Sequence, residues 1–218
     1  MASGKSIIFL EQDKINYYDH SLPAVLTFPF TKELIRDLEV VNSAALHLQI
    51  KSFIDNNKIT PSQVMIVLSP NVYFEKEFPQ MPEFHQDSEL AKFTETIPFE
   101  NCSTKIYKLP AGSKLIACNY DLYQNIKTSF ENAGFIIEAV VPVFILGTDI
   151  TIVNNLDTRE ASTMLERFDL AKQNSLLLHR DGYAKSQIQR GGEKDKKEDN
   201  KTLIFLIPIL ITLIIVLF

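Results

Sequence analysis

Glycine is scarce in this chain, with 7 in 218 residues. It is the residue that lets a backbone come close to a phosphate, and neither a Walker-type loop nor a Gly-x-Ser-x-Gly elbow is present. Cysteine is scarcer still. Neither Cys102 nor Cys118 has a second Cys or His two to four residues away, as a metal site requires, so both read as reduced core thiols. Asn101-Cys102-Ser103 would be a glycosylation acceptor only in a secreted protein and is read as chance. An excess of positive charge is missing too. The formal net charge is −5 with no basic stripe, which excludes nucleic acid as the main partner. Met1 to Tyr18 carries no signal peptide, because Glu11 interrupts the short apolar run Ile7 to Leu10. The histidines His20, His47, His85 and His179 have no Cys or acid at metal spacing, and the His85, Asp87, Glu89 cluster falls on a predicted helix surface. No catalytic, cofactor-binding or metal-ligating residue is assigned, and no cofactor is expected.

Hydrophobic residues make up 45% of the chain, with 15 Phe and 7 Tyr, ample for a core. Ser6 to Leu10 and Lys14 to Asp19 read as a hairpin around Glu11-Gln12-Asp13, and Ala24 to Phe28 as a third strand, with a short helical turn after Pro29. A helix follows, capped by Asn42 or Ser43, with Leu46, Ile50, Phe53 and Ile54 on one face. Val64 to Leu68 is an apolar, partly β-branched run, the sign of a buried central strand.

From Asn71 a second pattern begins. Tyr73 to Phe78 reads as a strand and Glu83 to Glu95 as a helix. Thr104 to Leu109 and Lys114 to Cys118 read as strands joined by the turn Pro110-Ala111-Gly112-Ser113. Tyr120 to Ala133 is a helix with Asn119 as its cap, Tyr123, Ile126 and Phe130 on its apolar face, and Gly134 at the left-handed C-terminal position. Phe135 to Val141 closes the series as a buried strand. This order predicts an α/β (α+β) fold with a split βαββαβ, ferredoxin-like subdomain over about 71–142, inside a first domain of residues 1–150.

Residues 156–178 read as one helix whose stripe of Ala161, Met164, Leu165, Phe168 and Ala171 or Leu176 either docks on the preceding domain or offers Met164, Leu165 and Phe168 to a partner. Residues 179–201 form a charged flexible linker. The segment 202–218 carries no charge, and its apolar side chains are Leu203, Ile204, Phe205, Leu206, Ile207, Pro208, Ile209, Leu210, Ile211, Leu213, Ile214, Ile215, Val216, Leu217 and Phe218. At about 1.5 Å per residue it reaches roughly 25 Å, the short end of what spans a bilayer, and Pro208 is tolerated there. One C-terminal transmembrane helix is expected. Lys194, Lys196, Lys197 and Lys201 precede it, which places the N-terminal body in the cytoplasm. Two readings of its end stay open: a tail anchor, or a span followed by an outer segment.

The runs Gln63 to Pro70 and Val72 to Pro79, the segment Glu89 to Glu100 with its Ile97-Pro98-Phe99 element, and the series Lys114 to Tyr123, Phe130 to Gly134 and Ala139 to Pro142 together resemble the PilM-type actin-like proteins of type IV pilus assembly and the related GspL-type proteins of type II secretion. The resemblance covers about residues 5–147. It implies a partial actin-like (ribonuclease H-like) unit with an inserted subdomain. Members that bind nucleotide carry an Asp-x-Gly loop after the first strand, where this chain reads Glu11-Gln12-Asp13. No second half of the actin-like duplication is read after about residue 150. The resemblance therefore implies a non-enzymatic scaffold in the inner membrane, whose partners are other pilus or secretion platform proteins and an assembly ATPase. The alternatives are a membrane-anchored actin-like ATPase and a tail-anchored adaptor unrelated to pili.

Overall fold

Two apolar runs, Ser-Ile-Ile-Phe-Leu and Val-Met-Ile-Val-Leu, form the middle of the molecule as parallel neighbours. They belong to β1 (Lys5–Leu10) and β6 (Gln63–Leu68). Strands this uniformly apolar need cover on both faces, and both faces have it. The computed structural model describes residues 4–79, 83–147 and 156–178, all within the unit Met1–Gly182.

Around that pair lies a five-stranded sheet. β2 (Lys14–Asp19) and β3 (Leu26–Pro29) continue antiparallel on one side, and β10 (Ile136–Pro142) pairs parallel to β6 on the other. The spatial order is β10-β6-β1-β2-β3. Between β3 and α1 the chain makes a small hairpin, β4 (Ile35–Arg36) with β5 (Glu39–Val40), whose turn residues Asp37 and Leu38 both have positive φ. Helices α1 (Ser43–Asn56) and α3 (Tyr120–Asn132) pack on each other and cover one face. There Leu46, Ile50, Phe53 and Ile54 of α1 meet Ile8, Tyr17, Ile66 and Phe130. The expected caps are in place: Asn42 accepts from the Ala45 N–H, and Asn119 from those of Asp121 and Leu122. Gly134 ends α3 with φ +91°.

The opposite face is covered by α4 (Thr158–Glu166) and α5 (Phe168–Asn174). Ala161, Met164, Leu165, Phe168 and Ala171 sit there against Ile7, Phe9, Met65, Val67 and Val141. The single helix expected over 156–178 is thus two, separated at Arg167 (φ −97°, ψ 18°). The Arg167 guanidinium reaches back to the Leu146 carbonyl, which holds the break while the apolar stripe stays on the sheet.

A second sheet is inserted between β6 and α3. After a 3-10 turn at Pro70–Val72 come β7 (Tyr73–Phe78), α2 (Glu83–Thr96), β8 (Cys102–Leu109) and β9 (Gly112–Asn119), in the order β7-β9-β8, all antiparallel. The expected four-stranded ferredoxin-like sheet over 71–142 does not form. Its elements occur in the predicted order, but the last strand, β10, leaves them to pair with β6. The reason is burial. Val140 and Val141 are fully buried and need a sheet covered on both faces, whereas β7, with Glu75, Lys76 and Glu77 exposed, suits a sheet open to solvent. Among the described residues no helix is long and apolar enough to cross a membrane. The expected span at 202–218 and the linker 179–201 lie outside the described residues.

Phe130 is fully buried, stacked on Tyr17 with ring centroids 6.2 Å apart and edge-on to Phe135 at 5.3 Å. Phe168 fills the opposite face. Phe130→Ala and Phe168→Ala are each expected to destabilise the fold by about 3–5 kcal/mol. Urea unfolding followed by tyrosine fluorescence, unobscured because the chain has no Trp, measures both.

Candidate functional site

Open α/β sheets hold ligands at the carboxyl ends of their parallel strands. Here β1, β6 and β10 end in register at Leu10, Leu68 and Pro142. The segments leaving them are the turn Glu11–Lys14, the pair Ser69-Pro70 and the 3-10 turn Val143–Leu146. The turn closes on itself: the Glu11 N–H donates to the Lys14 carbonyl at 2.9 Å, and the Asp13 carbonyl accepts from the Phe30 N–H at 2.7 Å. Next to it the Ser69 N–H is spent on the Leu10 carbonyl at 2.9 Å. No residue of the turn has positive φ, so the backbone does not curl its N–H groups into an anion-binding nest.

The side chains close it further. Glu11 accepts a hydrogen bond from Asn16 Nδ2 at 2.7 Å and lies 3.7 Å from the Lys14 ammonium. Thr27 Oγ1 donates to Asn16 Oδ1 at 2.7 Å. The Glu11 and Lys14 side chains are only 16% and 17% exposed, so this is no loose surface pair. Burial pushes the Glu11 carboxyl above its ordinary 4.5; Lys14 works against the rise, Asp13 with it, and the Asn16 hydrogen bond against it. Ser69 Oγ, at the end of β6, is buried without a hydrogen-bond partner. The turn thus presents a carboxylate already engaged by its own neighbours, where phosphate binding calls for free backbone N–H groups.

Met164, Leu165 and Phe168, the expected partner-helix residues, are buried in the core against β1 and β6. That is the docking alternative for the stripe, not a face offered to a partner. Cys102 and Cys118 are both buried. Burial, reinforced by Cys102, pushes the Cys118 thiol far up, so it stays protonated and unreactive. His20 is exposed and meets the Tyr18 ring edge-on. His47 bridges α1 to α3, its ring nitrogens 3.2 Å from Ser43 Oγ and 2.5 Å from Ser129 Oγ. Among the described residues no group of three or more His, Cys, Asp or Glu could hold a metal ion. Asn16 was the missed member of the site. The signal was there: a polar residue between apolar neighbours in β2, now buried at 3% exposure.

Asn16→Ala removes the partner of both Glu11 and Thr27 and is expected to cost about 1–3 kcal/mol, read from the urea midpoint. The raised Glu11 carboxyl has a sign that can be checked. The folded state holds this proton more tightly, so the contribution is full below pH 4.5 and is lost as pH rises through the higher folded value. Glu11→Gln is therefore expected to compare better with the parent chain at pH 7 than at pH 4.

No protein-family model matches the chain, and no curated protein matches it. Solved structures do. One is a PilM–PilN type IV pilus biogenesis complex, with 14% identity, a TM-score of 0.46, and coverage of 67% of this chain and 49% of that one. Another is the cytoplasmic domain of EpsL, an inner-membrane component of the type II secretion system of Vibrio cholerae, with 13% identity, a TM-score of 0.39, and coverage of 66% and 59%. A third is a Bacteroides thetaiotaomicron protein of unknown function with an actin-like ATPase fold, with 12% identity, a TM-score of 0.37, and coverage of 63% and 51%. This chain spans about half to three-fifths of the length of the solved chains it matches. Likeness at this level is partial, and no activity of this chain follows from it.

Proposed function

We propose that this protein is a non-catalytic platform subunit of a type IV pilus or type II secretion-like machine, tethered to the inner membrane by residues 202–218 and linking membrane components to a cytoplasmic motor. The observation that carries the non-catalytic part is the closed turn after β1. Glu11, Lys14 and Asn16 engage one another at the place where the nucleotide-binding proteins of the resembled family carry a glycine loop. A cleft between two such sheets is also lacking among the described residues, whose second sheet is the small antiparallel one. The machine assignment is supported by the sequence resemblance over about residues 5–147. The tether is supported by the charge-free run at 202–218 and the lysines before it.

Three measurements test this reading. Affinity purification in mild detergent is expected to recover platform subunits and an assembly ATPase; recovering none in cells that build such a machine removes the assignment. Titration with Mg²⁺–ATP is expected to show no saturable micromolar binding, and saturation would replace the proposal with a membrane-anchored nucleotide-binding ATPase. Deleting residues 202–218 is expected to move the protein from the membrane pellet to the supernatant in ultracentrifugation.

A further inference from the structure

We draw no further inference here: the strongest candidate, the outer edge of β7 in the three-stranded sheet, where Phe74 is exposed beside Glu75, Lys76 and Glu77, carries nothing because no observation among the described residues shows what covers it.

Discussion

The parallel pairing of β1 with β6 is the contact on which the rest depends. Ile7, Ile8, Phe9 and Leu10 lie beside Met65, Ile66, Val67 and Leu68, all almost wholly buried. Fully burying one such side chain is worth about 1.5–3 kcal/mol, so exposing either face of this pair would forfeit most of the core. One face is therefore closed by α1 and α3 and the other by α4 and α5. The same demand brings β10 to β6: a strand ending Ala-Val-Val-Pro has no favourable place in a solvated sheet. β7, β8 and β9 form a sheet of their own.

That arrangement decides what the strand ends can do. Parallel strands ending together at Leu10, Leu68 and Pro142 create the kind of edge at which α/β proteins hold ligands. In this chain the edge is filled from within. Glu11 is held by Asn16 and Lys14, and Asn16 by Thr27 from the next strand. A buried carboxylate satisfied by neighbours is tolerable, and its charge repels phosphate. At another corner, polar contacts around Ser175 and Lys105 join the two sheets.

Local features were legible because their causes are local. The apolar faces of α1 and α3, the caps Asn42 and Asn119, and the left-handed Gly134 follow from side-chain spacing and one-residue chemistry. The β4–β5 hairpin was not legible: its turn puts Asp37 and Leu38 at positive φ without the glycine or asparagine that signals such turns. It is held instead from a distance, by Asn119 Nδ2 donating to the Leu38 carbonyl. The break at Arg167 was hidden for a similar reason, since its cause is the carbonyl of Leu146. At the site, the missing glycine was visible in Glu11-Gln12-Asp13, whereas its closure by Asn16 and Thr27 required the strand register.

By itself the sequence determined the longer elements: most of the strands and helices, which faces are apolar, the caps of α1 and α3, and that the first turn lacks glycine. These depend on neighbours a few residues apart. The tertiary structure alone decided which strands share a sheet, that the stripe of Met164, Leu165 and Phe168 is core, and that Ser175 and Lys105 meet at one seam. Those outcomes depend on matching buried area and polar partners between segments dozens of residues apart, and many pairings of the same elements satisfy the local rules equally well.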